Sequence, residues 1–320
     1  MLGSSPSSEE SAMKYFVGFA VVAASLLMPM VAQAEPLKVM SFNLYHGGDG
    51  GKQPLSQSVA VIKAANADVV GLQETTGFGP TDPKPDNSAK LAQLLGWNHL
   101  DQGGSTAIIT KHKIIATTPR KWGVLLQTAS GNSYWMFNAH LMFAPYQPYQ
   151  LLSIPYMNGT FLKTEAEAIK AAQDTRGGQV TRMLEELQPA LKTGLPLFVT
   201  GDFNEPSHQD WTEGAAKAKL HPIKVEWPST KALVTAGLTD SYRSLNRDEV
   251  KRPGLTWTPT TNADDPKDHH DRLDFVFFGG KGVKVRASAI VGEAAPYADI
   301  VVTPYPSDHR SVVSTFEIGG

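Results

Sequence analysis

Short apolar segments alternate along the chain with amphipathic ones, and this pattern predicts a mixture of strands and helices. Seven segments are short and rich in β-branched or aromatic residues, which is typical of strands. Some are apolar throughout, and others alternate between apolar and polar residues. The predicted strands are 37–44, 69–74, 107–110, 133–140, 196–204, 273–278 and 311–318.

The clearest helical pattern is a stripe of apolar residues spaced i, i+3, i+4 and i+7, which predicts a helix with one face packed on a sheet. The stripe consists of Val180, Met183, Leu184, Leu187 and Leu191. Residues 55–65 and 88–95 are weaker helix candidates. Because strands and helices are interleaved, we expect an α/β or α+β domain in which helices cover sheets. No internal repeat, coiled coil or low-complexity linker divides it.

The first 34 residues have a different pattern from the rest of the chain. Lys14 precedes an apolar run over 15–31, and Ala32-Gln33-Ala34 has the small-x-small form of a signal-peptidase site. We therefore predict a secretory signal peptide that is cut after Ala34 and directs the protein to a bacterial periplasm or to the medium. A membrane anchor is the alternative, but the run is short for a bilayer span and lacks a charged stop.

Two domain assignments follow from the signal peptide. Met13 is a typical signal start, so residues 1–12 are predicted to be an upstream extension. Residues 35–320 are predicted to form the mature domain. No later apolar stretch is long enough to cross a bilayer, so we expect no stable membrane insertion after cleavage, and a monomer.

Composition excludes several classes of function. The chain has 320 residues, of which 41% are apolar, and no cysteine, so disulfides, thiolate metal sites and cysteine nucleophiles are excluded. Lys and Arg total 29 against 31 Asp and Glu, and removing Glu9, Glu10 and Lys14 with the signal leaves 28 against 29. A near-neutral chain is poorly suited to tight, non-specific binding of long nucleic acids, which requires many basic contacts to phosphate.

Polar residues recur where the predicted strands end, at positions that are rigidly held and can still reach a cleft. Asn43 and Glu74 close the first two strands, and a carboxylate with an amide oxygen is a hard-oxygen set suited to Mg²⁺ or Mn²⁺. Asp202 and Asn204 are two residues apart and therefore point to the same side in an extended chain.

Three further places complete the set. His140 closes a predicted strand, Asp274 opens another, and Asp308 and His309 precede the last. Each residue alone has a stronger structural explanation, such as a turn, a helix cap or a satisfied histidine within a sheet. Together, the carboxylates, asparagines and histidines are sufficient to hold a metal ion, a phosphate and a water molecule.

In this order, the motifs resemble those of the endonuclease/exonuclease/phosphatase superfamily, which includes DNase I, exonuclease III-type repair nucleases, neutral sphingomyelinases and inositol polyphosphate 5-phosphatases. The resemblance extends from Ser41 to His309. It implies a DNase I-like α+β fold: a four-layer αββα sandwich of two facing mixed sheets flanked by helices, with the active site at their common edge. The matching motifs are Ser-Phe-Asn43, Gln-Glu74, Asn-Ala-His140, Gly-Asp202-Phe-Asn204, Asp240-Ser-Tyr-Arg243, Thr256-Trp257, Arg272-Leu-Asp274 and Ser-Asp308-His309.

The same resemblance implies a metal site and a phosphate site. Asn43 and Glu74 would belong to the metal site, with Asp308 as a further ligand, and the ion would be Mg²⁺ or Mn²⁺ acting as a Lewis acid. His309 would contact the phosphate, with Asp274 as the acidic partner that fixes its tautomer.

The remaining roles concern proton transfer. Asp202 would orient or deprotonate the attacking water, and Asn204 would donate to a phosphoryl oxygen. His140 matches the histidine that DNase I and sphingomyelinase-like members use as an acid for the leaving oxygen. Whether the aspartate or a histidine is the base stays open from the sequence.

Other polar groups are interpreted as structural. Arg176, in an Arg-x-x-Gln motif that ends at Gln179, is expected to pack rather than to catalyse, and Asp240 and Arg243 are expected to form an ion pair beneath the site. A second metal site is an alternative for a group of loop residues, although a solvated loop is favoured for them. They are Asp264, Asp265, His269 and His270.

The substrate depends on the loop 141–160, which follows His140 and is rich in aromatic residues. Its aromatic side chains could stack on a base, sugar or lipid, or simply bury themselves under the loop. We predict an exported, metal-dependent phosphodiesterase, nuclease-like or sphingomyelinase-like, acting on short nucleic acid, a nucleotide or a phospholipid head group. A catalytically silent binding module and a phosphomonoesterase of small metabolites are the alternatives. The aromatic residues are Phe143, Tyr146, Tyr149 and Tyr156.

Overall fold

Thirteen strands lie in the part of the chain that the computed structural model describes, residues 34–81 and 83–319. The predicted signal peptide lies outside these residues, apart from Ala34. The strands are β1 (Glu35–Asn43), β2 (Val69–Gln73), β3 (Asn98–Gly103), β4 (Thr106–Thr110), β5 (Lys113–Thr117), β6 (Gly123–Gln127), β7 (Ser133–His140), β8 (Leu197–Asp202), β9 (Thr239–Asp240), β10 (Asp274–Gly279), β11 (Val283–Gly292), β12 (Ile300–Val301) and β13 (Ser311–Ile318).

Helices connect the strands. A 3₁₀ turn over His46–Gly48 follows β1, and a π-helical turn over Gln173–Gly177 joins two of the α-helices. None of the helices within 34–81 and 83–319 is long and apolar enough to cross a membrane. The α-helices are α1 (Leu55–Ala65), α2 (Ser88–Leu95), α3 (Gln147–Leu151), α4 (Glu165–Ala172), α5 (Gly178–Lys192), α6 (Glu213–Lys217), α7 (Pro228–Thr235) and α8 (Ser241–Leu245).

The strands form two mixed sheets. A seven-stranded sheet has the order β12-β11-β13-β1-β2-β4-β3, and a six-stranded sheet has the order β5-β6-β7-β8-β10-β9. At the centre of the first, β1 runs parallel to β2 and antiparallel to β13. At the centre of the second, β8 runs parallel to β7 and antiparallel to β10. The predicted sandwich of two mixed sheets flanked by helices is confirmed.

Alternation along the central strands separates the core into layers. On β1, Leu37 and Val39 belong to the core between the sheets, whereas Met40 and Phe42 pack with residues of α1 and α2. The second sheet has its own outer layer, where Val180, Met183 and Leu187 of α5 pack against residues of β8 and β10. The predicted amphipathic helix face is therefore buried as expected.

The sequence pattern finds the central strands and misses most of the others. All seven predicted strands are present, and α1 and α2 have the predicted bounds. The pattern misses β3, β5, β6, β9, β11 and β12. The edge strand β3 shows the reason: its sequence, Asn-His-Leu-Asp-Gln-Gly, is mostly polar, so it carries little apolar signal.

The two sheets approach each other closely around Gly71 of β2. A Cβ atom at Gly71 would lie 2.0 Å from Thr200 Oγ1 and 2.4 Å from Asn138 Oδ1, both on the other sheet. The Asn138 amide bridges the sheets: Nδ2 donates to Leu72 O (2.9 Å), and Oδ1 accepts from Gln73 Nε2 (2.6 Å) and Thr200 Oγ1 (3.0 Å). A fully paired polar bridge of this kind fixes the register between two sheets.

We expect Gly71→Ala to lower the free energy of unfolding by about 2–4 kcal/mol, because the methyl group overlaps Thr200 and displaces Asn138 from its hydrogen bonds. Chemical denaturation of both proteins measures the change. The matched control is Gly177→Ala, where the nearest atom that a Cβ would meet is Gln173 Cβ at 3.9 Å. Equal stability of the two variants would contradict the close approach of the sheets.

Candidate active site

Six chain segments bring polar side chains to one edge of the sandwich. The parallel pairing places Asn43 opposite Gln73, next to Glu74, and places His140 opposite Asp202. Because β10 is antiparallel to β8, its first residue, Asp274, also lies opposite Asp202. The ends of parallel strands and the starts of antiparallel ones therefore meet at the same edge.

Asp202 lies at the centre of this group and is fully buried. Its Oδ2 accepts a hydrogen bond from Asn43 Nδ2 at 2.9 Å, which crosses from one sheet to the other. The same oxygen lies 3.7 Å from His140 Nε2 and 3.6 Å from His309 Nε2. One carboxylate oxygen thus faces two imidazole nitrogens across a gap slightly longer than a hydrogen bond.

His309 is buried and held by a second carboxylate, since its Nδ1 lies 2.9 Å from Asp274 Oδ2. Burial by itself lowers the pKa of His309, but the carboxylates of Asp274 and Asp202 outweigh it and raise this pKa well above its usual value. The two carboxylates therefore favour the protonated form of the His309 imidazole, whose Nε2 faces Asp202 at 3.6 Å.

Glu74 is only partly buried, in contrast to Asp202. Its Oε1 accepts from Asn43 Nδ2 at 3.2 Å and lies 4.0 Å from His140 Nε2, while its Oε2 accepts from the backbone N–H of His46 at 3.1 Å. The backbone of Glu74 has a φ of 51°, a conformation that side-chain-bearing residues rarely adopt. The structure thus holds this carboxylate at the rim in a specific direction.

The Asn43 side chain joins these carboxylates to each other. Its Nδ2 contacts both Glu74 and Asp202, and its Oδ1 accepts from the Tyr45 N–H at 2.9 Å. In this arrangement the amide oxygen faces the backbone and the amide nitrogen faces the carboxylates. The assignment of Asn43 as a direct metal ligand stays a prediction.

Asp308 supplies a further carboxylate near Glu74. Its Oδ1 is buried and has no hydrogen-bond partner among the described residues. Burial raises the pKa of Asp308 to about 6, and the negative charges of Glu74 and Asp202 add to this effect, although His309 opposes it. A buried carboxylate oxygen without a partner, beside another carboxylate, is the environment that a divalent cation stabilises.

Asn204 lies two residues beyond Asp202, just after the end of β8. Its backbone N–H donates to Asp202 Oδ1 at 2.8 Å, and its side-chain Nδ2 donates to Leu141 O at 3.1 Å. The residue has a φ of 48°, which asparagine tolerates better than most residues. The second hydrogen of the amide group stays available to a ligand.

The donor set fits a hard divalent cation. Glu74, His140 and Asp202 each offer one atom within 4.8 Å of the others, as do Asp202, Asp274 and His309. Glu74 is partly exposed at the rim, and one oxygen of Asp308 has no hydrogen-bond partner among the described residues, so these two carboxylates are the best placed to hold Mg²⁺ or Mn²⁺.

Sequence reasoning missed several supporting groups. The Ser307 hydroxyl donates to Asn43 O at 2.7 Å and accepts from the His309 N–H at 3.1 Å, so it links the first strand to the segment that carries His309. Thr256 Oγ1 accepts from the Asp274 N–H at 3.1 Å. The ring of Trp257 lies 4.9 Å from that of His309. Both Ser307 and Thr256 belong to recognised motifs, but only the structure reveals what they contact.

A network of buried charges lies beneath the site, and it differs from the expected ion pair. The guanidinium of Arg243 contacts Asp210 at 2.7 Å rather than Asp240. Asp240 instead pairs with Arg272 at 2.8 Å, and Arg272 also donates to Asp210. The expected Asp240–Arg243 side-chain pair was therefore wrong. As expected, Arg176 is buried in packing, where it donates to Gln147 Oε1 at 2.5 Å.

The aromatic loop divides into two parts. Tyr146 and Tyr149 are buried, and their hydroxyl groups donate to Asp271 and Asp268. Phe143 and Tyr156 are exposed by 44% and 38%. The loop lines a cavity of about 110 Å³ next to the active-site residue Asn204. Burial therefore accounts for Tyr146 and Tyr149, whereas Phe143 and Tyr156 border a space where a ligand could stack.

Comparison with known proteins gives matches over most of the chain. The model of the endonuclease/exonuclease/phosphatase family matches residues 40–309. An uncharacterized protein of Caenorhabditis elegans is 28% identical over 309 residues, covering 88% of this chain and 91% of that protein.

Solved structures show the same fold. An endonuclease/exonuclease/phosphatase from Beutenbergia cavernae has a TM-score of 0.54 and 18% identity, over 89% of this chain and 72% of that one. An AP endonuclease from Archaeoglobus fulgidus has a TM-score of 0.51 and 14% identity, over 87% of this chain and 98% of that one. The chain belongs to the endonuclease/exonuclease/phosphatase family, whose members are hydrolases that act on phosphoesters.

Proposed function

We propose that this protein is an exported phosphodiesterase that depends on Mg²⁺ or Mn²⁺. The observation that carries the proposal is the position of Asp202 Oδ2, which lies 3.6 Å and 3.7 Å from the Nε2 atoms of His309 and His140. A buried carboxylate facing two imidazole groups, beside a rim of further carboxylates, suits proton transfer around a phosphoryl group.

The metal ion would be held by Glu74 and Asp308, with Asn43 fixing the direction of Glu74 by its hydrogen bond. When bound, such an ion neutralises phosphate charge and polarises the P–O bond. The buried, unpaired oxygen of Asp308 supports this assignment, because an isolated buried carboxylate is costly without a cation beside it.

Proton transfer is assigned from the charge state of His309. The neighbouring carboxylates raise the pKa of His309 and favour its protonated form, so we assign its Nε2–H as a donor to a phosphoryl oxygen rather than as the acceptor of the water proton. Asp202 then accepts the proton as the water oxygen forms its bond to phosphorus. His140 gives a proton to the leaving oxygen as the other P–O bond breaks, and the free amide hydrogen of Asn204 stabilises the developing charge.

The environment of Asn204 favours a diester with an organic group on each side of phosphorus. Phe143, Tyr156 and Trp257 line the cavity next to Asn204, where a base, a sugar or an acyl-linked head group could pack. The near-neutral charge of the chain favours small substrates over long nucleic acids. Short oligonucleotides, nucleotides and phospholipid head groups are therefore the proposed substrates of a monomeric enzyme.

The proposal predicts turnover of a phosphodiester that depends on a divalent metal ion. The purified protein is expected to hydrolyse bis-p-nitrophenyl phosphate with Mg²⁺ or Mn²⁺ and to lose this activity in EDTA, because the carboxylate rim requires a cation. Plasmid DNA, a short oligonucleotide and sphingomyelin identify the class of substrate. Faster hydrolysis of p-nitrophenyl phosphate would indicate a monoesterase, and no turnover of any substrate would indicate a silent binding module.

Three variants test the residues. Glu74→Ala, Asp202→Ala and His309→Ala are each expected to lower kcat by about 100- to 10,000-fold, because each removes a group at the reacting centre. Thermal unfolding checks that the variants remain folded. Asp174→Ala is the control, since this carboxylate is exposed and paired only with Lys170 on a helix surface. Near wild-type rates in any of the three variants would rule out the proposed roles.

The pH dependence tests Asp308. Since its pKa is raised to about 6, this carboxylate gains a proton below that pH and loses its attraction for a cation. The Mg²⁺ concentration that gives half-maximal activity is expected to rise about tenfold from about pH 7 to about pH 5. Asp308→Asn is expected to need more Mg²⁺ at every pH and to lose most of this dependence. An unchanged pH dependence in Asp308→Asn would exclude Asp308 as the titrating ligand.

Export is proposed from the signal-like pattern that ends at Ala34. Expression of the whole chain in a bacterium is expected to give a periplasmic or secreted protein whose first residue is Glu35. N-terminal sequencing of the fractionated protein measures this. The substitution Ala34→Asp alters the predicted cleavage site and is expected to block cleavage. An uncut cytoplasmic protein from both the wild-type chain and this variant would contradict the proposal.

A further inference from the structure

A second cluster of metal-ligating side chains shares no residue with the candidate active site. His221 belongs to the irregular segment after α6, and His269 and Asp271 belong to the segment before β10. The Nδ1 atom of His221 lies 3.0 Å from the Nε2 atom of His269. Each of these nitrogens lies 3.9 Å from the same atom, Asp271 Oδ1.

These three distances match the size of a coordination sphere. A triangle with sides of 3.0, 3.9 and 3.9 Å has a circumradius of about 2.1 Å, the usual distance from Zn²⁺ to histidine nitrogen or carboxylate oxygen. One position is therefore at metal-ligand distance from all three atoms. A hydrogen bond between the two rings explains the 3.0 Å contact but not why both nitrogens converge on one carboxylate oxygen.

Neighbouring side chains hold the three ligands in place. Trp211 Nε1 donates to Asp271 Oδ1 at 2.8 Å, and the Tyr146 hydroxyl donates to Asp271 Oδ2 at 2.5 Å. The His221 ring is stacked on Trp211, with centroids 4.3 Å apart and an angle of 14° between the rings. Outer groups that orient the ligands in this manner are typical of metal sites in proteins.

The chemistry of the ligands favours a transition metal over Mg²⁺. Two imidazole nitrogens and one carboxylate suit Zn²⁺ and its neighbours, whereas Mg²⁺ prefers oxygen ligands throughout. Burial lowers the pKa of His221 to about 4, so this ring is neutral and has a free lone pair at neutral pH.

The cluster opens onto a cavity of about 550 Å³, the walls of which include His221, His269 and Asp271. Arg272 and Lys219 also line this cavity, so its charge is mixed. An ion held by three protein ligands at such a wall would keep one coordination position for water or a small anion, as catalytic zinc sites do.

We propose that His221, His269 and Asp271 bind a Zn²⁺ ion through three ligands, with a fourth position open to the cavity. The assignment changes the ligand set suggested by the sequence. Asp264 is exposed, and the Nε2 atom of His270 contacts Thr261 Oγ1 at 2.9 Å instead of joining the cluster. The site is independent of the proposed phosphodiesterase activity, because its ligands lie outside the set that would hold Mg²⁺.

The test is a titration of the full chain with Co²⁺ after treatment with EDTA and dialysis, in an excess of Mg²⁺ that occupies oxygen-only sites. Co²⁺ stands in for Zn²⁺ and absorbs strongly in visible light when four ligands surround it. We expect such a spectrum with about one equivalent bound, and its loss when Zn²⁺ displaces Co²⁺. A weak spectrum typical of six oxygen ligands, or no binding, would overturn the proposal.

Variants locate the ion. His221→Ala and Asp271→Asn are each expected to weaken Zn²⁺ binding by more than about 100-fold, because even outer-shell changes cost about 10- to 100-fold. Tyr146→Phe, which removes only an outer hydrogen bond, is expected to weaken binding by about tenfold. His270→Ala is the matched control and should bind Zn²⁺ as the wild type does. Circular dichroism without metal checks folding, and unchanged binding in both His221→Ala and Asp271→Asn would overturn the assignment.

Discussion

The candidate active site is assembled from both sheets, and the hydrogen bond from Asn43 at the end of β1 to Asp202 at the end of β8 joins its two halves. This 2.9 Å contact links residues that are 159 positions apart in sequence. A few residues away, the absence of a side chain at Gly71 leaves room for Asn138 and Thr200 of the other sheet. The hydrogen bonds of Asn138 to Leu72 and Gln73 therefore hold the two sheets together in the same region.

The side chains that meet at this edge of the sandwich concentrate negative charge in a region of low dielectric. Asp202 and Asp274 are fully buried, and Asp308 is mostly buried, so their repulsion must be offset locally. Protonated His309 lies between two of them and offsets part of that repulsion. Glu74 has only longer contacts, 3.8 Å to His46 and 4.0 Å to His140, and one oxygen of Asp308 has no hydrogen-bond partner among the described residues, so a divalent ion would complement these two carboxylates.

The sequence predicts the central strands and the polar residues at their ends, because both depend on the local pattern of apolar and polar residues. Polar residues after apolar strands identify Asn43, Glu74 and Asp202 without knowledge of the topology. An edge strand such as β3 cannot be found in this manner because its sequence is mostly polar, and the partners of charged groups cannot because residues such as Asp210 lie in irregular segments. His221 illustrates the limit: it is 48 residues from His269, in a segment with no recognisable motif, and only tertiary packing brings the two rings together.

The Asn138 bridge also limits which amino-acid substitutions the chain can accept during evolution. Its amide group makes hydrogen bonds with Leu72, Gln73 and Thr200 at once, so replacing it alone removes hydrogen bonds from groups on both sheets. A different set of side chains at this position would require several simultaneous substitutions, each of which is destabilising by itself. The effects of substitutions at these few positions are therefore strongly non-additive. Drift is correspondingly easier elsewhere, on the edge strands and outer loops.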